Sequence, residues 1–246
     1  MAGASAERQE TGVIDAITRS IKSNGNKPII LTGQNGTKLS GVTSAKKHSG
    51  RTISGSEPYT DVIIQTGAKA FNVSNKGDSA PSLAGGGLSG IETILPGLVK
   101  MFLVAGVKQY VKKKYKTGDK VPELFGQIHP TDVKLLLKGN KDVGGPINYM
   151  YIGPMDVKFT FKNGICTLNG SFYTIDQYYQ KVGGKLYIRA RRRREDQLFT
   201  RDEVDKNNLP LIYGRSKSRG DSGRRIVVTD KAPSTSISFV MSSIGK

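Results

Sequence analysis

The chain has 246 residues, 38 Lys+Arg against 20 Asp+Glu, and a formal net charge of +18. A surplus of that size exceeds what a soluble surface needs and points to a polyanionic partner, nucleic acid before membrane. The one long apolar stretch, Ile94 to Val107, contains Pro96, Gly97 and Lys100 and is shorter than the roughly 20 residues of a bilayer span, so no membrane insertion is expected.

Hydrophobic residues make up 36% of the chain, enough for a real core. A single cysteine, Cys166, cannot close an internal disulfide, and the opening MAGASAERQE has neither the basic start nor the apolar core of a secretory signal. A reducing compartment is expected: the cytoplasm, or a virus particle assembled there. His48 and His129 with one cysteine are too few for the usual structural zinc sites.

In chain order, Val13, Ile14, Ile17 and Ile21 recur at helical spacing and predict an amphipathic helix over 11–23, ended by Asn24 to Asn26. Lys27 to Leu31 reads as a buried strand. A Gly/Ser/Lys-rich stretch from Thr32 to Ser56 reads as irregular. Strands are expected over 61–65 and 69–76, with Thr66-Gly67 at hairpin distance between them. Ser89 and Glu92 have the spacing of a capping box, opening a helix that kinks or restarts at Pro96 and runs to about Tyr115. In the second half, 157–161, 165–168 and 171–174 are short strands joined by Asn163-Gly164 and Asn169-Gly170, which predicts an antiparallel meander. A short helix over 175–182 and strands over 185–193, 225–229 and 237–241 complete the reading.

Charge is concentrated. Residues 100–141 carry a net +7 and residues 181–231 a net +8. Lys112, Lys113 and Lys114 end the expected helix, Arg189, Arg191, Arg192, Arg193 and Arg194 end a strand, and Arg215, Arg219, Arg224 and Arg225 surround a Gly/Ser loop. Arginine pairs with phosphate in bidentate fashion, so these are the candidate nucleic-acid contacts, with double-stranded DNA as the expected partner.

Glu57-Pro58-Tyr59-Thr60-Asp61 precedes one strand, and twelve residues separate Asp61 from Ser74-Asn75-Lys76 at the end of the next, which continues as VSNKGDSAPSLAGGGLSG. This order resembles the core of the PD-(D/E)XK nuclease superfamily, in particular its phage-encoded and restriction-endonuclease-like members, over Thr11 to Tyr115. The resemblance implies an α+β fold, a helix-strand-strand-strand-helix core over residues 1–120, followed here by a basic, β-rich half with antiparallel hairpins over 121–246. It also implies a Mg²⁺-dependent DNA endonuclease in which Asp61 holds the metal and Lys76 orients the attacking water or stabilises charge. Ser74 stands where the superfamily has an acid, so a second carboxylate must come from Glu57, Glu92, Glu10 or Asp78. The alternative is a non-catalytic protein, either a DNA-binding accessory factor or a structural component of a virus particle, partnered by copies of itself or by other particle proteins. No phosphate-binding GK[ST] sequence and no Ser/His/Asp order is present.

Overall fold

A computed structural model describes residues 2–52, 57–78, 87–116, 121–192 and 224–244. In chain order its elements are α1 (Ala2–Ser23), β1 (Ile29–Thr32), β2 (Lys38–Lys47), β3 (Val62–Thr66), β4 (Lys69–Gly77), α2 (Gly87–Ile94), α3 (Leu98–Lys112), β5 (Leu124–Gln127), α4 (Pro130–Lys138), β6 (Tyr149–Gly153), β7 (Phe159–Lys162), β8 (Ile165–Leu168), β9 (Ser171–Thr174), α5 (Ile175–Lys181), β10 (Tyr187–Arg192), β11 (Arg224–Thr229) and β12 (Ile237–Val240). The class is α+β, with two mixed sheets. Among the described residues no helix is long and apolar enough to cross a membrane.

The chain forms two units, each built from separated segments: residues 1–85 with 137–183, and 86–136 with 184–246. The boundary expected at residue 120 therefore falls inside the second unit. Its displacement follows from the pairing of β4 with β6, which is parallel and so needs a long crossover. The chain leaves the first sheet after Gly77 and returns to it at Tyr149.

In the first unit β1, β2, β3 and β4 pair antiparallel in sequence, and the whole sheet has the order β7-β8-β1-β2-β3-β4-β6-β9. The reading of 32–56 as irregular misses β2. Register shifts flank it on both sides, between Ile29 and Leu31 and between Val42 and Ser44, so its buried Leu39 and Val42 are three residues apart and the period-2 signature is lost.

The expected meander over 157–174 is half right. Asn163 and Gly164 take φ of 50° and 76° and turn β7 into β8, but β9 does not pair with β8; it pairs with β6 at the other end of the sheet. Five strands stand between β8 and β9. Laid flat, that span is about 29 Å at 4.8 Å per strand, whereas the Leu168 to Ser171 connection reaches at most about 11 Å. The sheet must curl. Gln34 N–H donates to the Gly170 carbonyl at 2.9 Å, and the Asn35 side chain exchanges hydrogen bonds with the Phe172 backbone at 2.7 and 2.9 Å. Gly33 makes this approach, since a Cβ there would lie 2.5 Å from Phe172 N and 2.7 Å from the Gly170 oxygen. One core cluster accordingly joins Val13, Ala16 and Ile17 of α1 to residues from both ends of the sheet, Leu168 and Phe172 among them.

In the second unit a four-stranded sheet has the order β11-β10-β5-β12. Helix α3 buries Leu98, Phe102, Leu103, Val107 and Tyr110, with Phe102 stacked on Phe239 at 5.9 Å. The expected helix break at Pro96 is present between α2 and α3. The Ser89 side chain lies outside the described ones. Glu92 caps α3, its carboxylate accepting from Gly97 N–H at 2.9 Å and Val99 N–H at 2.8 Å.

Candidate nucleic-acid site at the ends of the central strands

The two-residue turn after Thr66 pairs Thr66 with Lys69 and Val62 with Val73, which carries Asp61 level with Ser74. The Asp61 backbone extends the ladder by one bond, N–H to the Val73 carbonyl at 2.9 Å. Three donors then converge on one carboxylate oxygen, Oδ2. The Ser74 hydroxyl donates at 3.1 Å, the Asn75 N–H donates at 2.6 Å, and Lys76 Nζ stands 3.8 Å away. Only 13% of the Lys76 side chain and 21% of that of Asp61 are exposed, so the charges meet in a partly dry environment where they interact more strongly than on an open surface.

Helix α1 brings a second carboxylate. Gln9, buried, donates from Nε2 to the carbonyls of Gly153 at 2.8 Å, Lys76 at 3.2 Å and Pro154 at 3.3 Å. That fixes the helix over the carboxyl ends of β4 and β6. The next residue, Glu10, pairs with Lys47 at 3.1 Å, as does Glu7. Burial holds the Glu10 carboxyl above its ordinary value; Lys47 opposes this, and the negative charge of Asp61 adds to it. Lys47 is raised in turn by its hydrogen bonds to Glu7 and Glu10.

The other candidates stand elsewhere. Glu57 is exposed. Glu92 is committed to the α3 cap. Asp78 is exposed, and its charge is felt at Tyr151, whose hydroxyl burial pushes up to about 12 with Asp78 adding to it. Ser74 is 4% exposed and orients Asp61. Asn75 went unread in the sequence: its carboxamide is buried and neither Oδ1 nor Nδ2 has a partner.

Among the described residues no three His, Cys, Asp or Glu side chains form a metal cluster. Mg²⁺ needs less than that, since it takes one or two carboxylates and fills its octahedron with waters and phosphate oxygens. Asp61 and Glu10 are hard oxygen donors and in donor type fit the ion; the Asn75 carboxamide, between Ser74 and Lys76 on β4, belongs to the other face of that strand.

Of the basic candidates, Lys112, Lys113 and Lys114 are exposed at the end of α3. Arg189 is engaged, 3.7 Å from Glu123 and over the Phe125 ring at 5.5 Å. Arg191, Arg192, Arg224 and Arg225 lie on the β10–β11 ladder. Arg193, Arg194, Arg215 and Arg219 lie outside the described residues.

Compared with protein families, with curated proteins and with solved structures, the chain matches none. The geometry therefore carries the functional conclusion.

Proposed function

We propose that this protein binds nucleic acid and hydrolyses its phosphodiester bonds with Mg²⁺ at the carboxyl ends of β4 and β6. What supports the reading most is the pairing of Asp61 with Lys76, 3.8 Å apart at the ends of two central strands, with Glu10 of α1 bonded to Lys47 on the neighbouring strand. The strand order supports it too, a meander of β2, β3 and β4 followed by a crossover to a parallel β6, as does the net charge of +18. Asp61 and Glu10 would hold the ion, which when bound activates water and neutralises phosphate charge. Lys76 supplies fixed positive charge beside the reacting phosphate, and Ser74 and the Asn75 N–H hold the Asp61 carboxylate in one orientation. The single cysteine agrees with work in a reducing compartment, the cytoplasm of a host cell or a particle made there.

Mg²⁺-dependent nicking of a supercoiled plasmid tests this. Wild-type protein should nick, and Glu10→Gln should lose nicking by at least a hundredfold while still binding the plasmid. A wild-type protein that binds DNA and never nicks it, across Mg²⁺ and Mn²⁺, supports the second reading, a non-catalytic DNA-binding or particle protein. Ser74 is what favours that reading, because a hydroxyl stands where a further acid would be and donates to Asp61.

A further inference from the structure

Helix α3 ends in a run of lysines. Lys108 and Lys112 lie one turn apart on it, and Lys113 and Lys114 follow directly; all four are exposed, as is Val111 among them. From Lys108 to Lys114 the axis advances about 9 Å at 1.5 Å per residue, so four cations share a short patch. The negative end of a helix amounts to roughly half a charge, which Lys112 alone outweighs. Lysines one turn apart repel each other. Neither the dipole nor the packing of the helix asks for the other three.

The backbone after Lys112 closes the helix with two bonds. Lys114 N–H donates to the Val111 carbonyl at 2.9 Å and Tyr115 N–H to that of Tyr110 at 3.1 Å, the pattern in which a chain leaves a helix through one left-handed residue. That residue is Lys114, with φ of 60°. Glycine takes this conformation freely, whereas a lysine is strained in it. Among the described residues the other non-glycine positions with positive φ are Asn26 and Asn163, and asparagine tolerates it far better than lysine. The Tyr115 ring packs edge-on against Tyr110 with centroids 5.8 Å apart, and the Tyr110 hydroxyl donates to the Pro122 carbonyl at 2.6 Å. Tertiary contacts therefore hold the strained turn in place. Strain kept where glycine would remove it points to a use for the side chain, here an exposed ammonium added to three others.

We propose that the lysines at the end of α3, Lys108, Lys112, Lys113 and Lys114, bind the phosphate backbone of a nucleic acid. A duplex carries one charge per about 1.7 Å of axis, about five over the length of the patch. Lysine meets phosphate as a point charge on a flexible stem, which positions a backbone and reads no bases. The surface rests on the nucleic-acid partner proposed above and is independent of cleavage.

The test uses the full chain without Mg²⁺, a short DNA duplex as probe, and salt titrations of wild type, K114G, K108Q/K112Q/K113Q and K108R/K112R/K113R. Each phosphate contact contributes about −0.9 to the slope of log affinity against log salt, so K114G should shallow the slope by about 0.9 and the Gln triple by about 2.7. The Arg triple should keep the wild-type slope. K114G should melt no lower than wild type, because glycine relieves the turn, so binding weakens while stability does not. A wild type with a steep slope that K114G and the Gln triple both retain overturns this surface and leaves the nucleic-acid reading intact. A wild type that binds no DNA at any salt removes that reading, and the surface with it. A K114G protein that melts below wild type overturns the assignment of Lys114 as a residue kept for its charge. Binding to phosphatidylserine vesicles that the Gln triple loses, with its DNA slope unchanged, assigns the surface to a lipid headgroup and overturns the nucleic-acid partner. Loss of nicking in an Asp61→Asn protein that keeps the wild-type slope leaves the surface standing.

Discussion

Asp61→Asn keeps the shape of the side chain and removes its charge, which separates holding the strand edge from chemistry. Two hydrogen bonds now end on the carboxylate, from Ser74 and from the Asn75 N–H. Bonds to a charged acceptor are worth about 1.5–3 kcal/mol and neutral ones about 0.5–1.5, so downgrading both costs about 2 kcal/mol. Lys76 loses its partner at 3.8 Å; for a pair between the exposed and buried limits that adds about 1 kcal/mol. A loss of about 3 kcal/mol lowers the melting temperature by about 6–12 °C in a chain of this size. Urea denaturation of wild type, Asp61→Asn, Lys76→Met and the double variant gives the coupling between the two charges, expected near 1 kcal/mol. Plasmid nicking is then assayed well below every melting point, where all four proteins are folded, and should be absent from each variant. A folded Asp61→Asn protein that nicks at the wild-type rate refutes the catalytic role of Asp61. A loss below about 0.5 kcal/mol refutes the convergence on Oδ2, since turning even one of these bonds from a charged to a neutral acceptor is worth about 1 kcal/mol.

Glu92→Ala leaves the first N–H groups of α3 without an acceptor and should cost about 1–2 kcal/mol, as lost helix caps do, with nicking unchanged at temperatures where it is folded; lost nicking at full stability would return Glu92 to the catalytic set. Gly33→Ala forces a Cβ into the backbone of Phe172 and Gly170 and should cost about 1–3 kcal/mol or more, read by urea denaturation; an unchanged midpoint contradicts the closure of the sheet at that seam. Cys166 is buried, and burial raises its thiol. An acid whose folded value lies above its unfolded one contributes stability that is complete below the unfolded value, about 8.5 for a thiol, and is lost as pH rises through the folded value. The stability of wild type relative to Cys166→Ala should therefore be flat below about pH 8.5 and fall above it, and rapid labelling of the native thiol by a disulfide reagent would contradict the burial.

What could be read in the sequence was set by local chemistry. Gly67, with φ of 50°, and the two-residue turn it begins fix the β3–β4 register, and that register alone places Asp61 beside Ser74 and Lys76. The turn at Asn163-Gly164 was legible for the same reason. The second Asn-Gly pair has the same residues and a different outcome, because β9 finds β6 as its partner and Asn169 is drawn into other bonds: its side chain accepts from the Lys158 N–H at 2.9 Å and the Tyr151 hydroxyl at 3.2 Å. Tertiary pairing overrides turn chemistry there. The contact of Glu10 with Lys47 depends on how α1 crosses the sheet, which helical periodicity does not encode. Glu92 has the right chemistry for a ligand, and only its distance to two backbone N–H groups shows that it is used otherwise.

At the site, holding the helix and holding charge fall to neighbouring residues. Gln9 ties α1 to the ends of β4 and β6 through a neutral, buried amide, and such bonds are insensitive to salt and to pH. Glu10, one residue on and about 100° around the helix, is held by Lys47, whose side chain is 49% exposed. A pair that open to water contributes about 0–1 kcal/mol. Lys47 can therefore release Glu10 to a cation, or turn towards a phosphate, without loosening α1, because the helix does not depend on that pair for its position. The same separation holds across the sheet, where the Asp61 backbone is fixed by Val73 while its carboxylate answers to Ser74, Asn75 and Lys76. The two carboxylates therefore differ: Glu10 can part from its exposed lysine at little cost in fold stability, whereas Asp61, held by the Ser74 hydroxyl, the Asn75 N–H and Lys76, is fixed in one orientation.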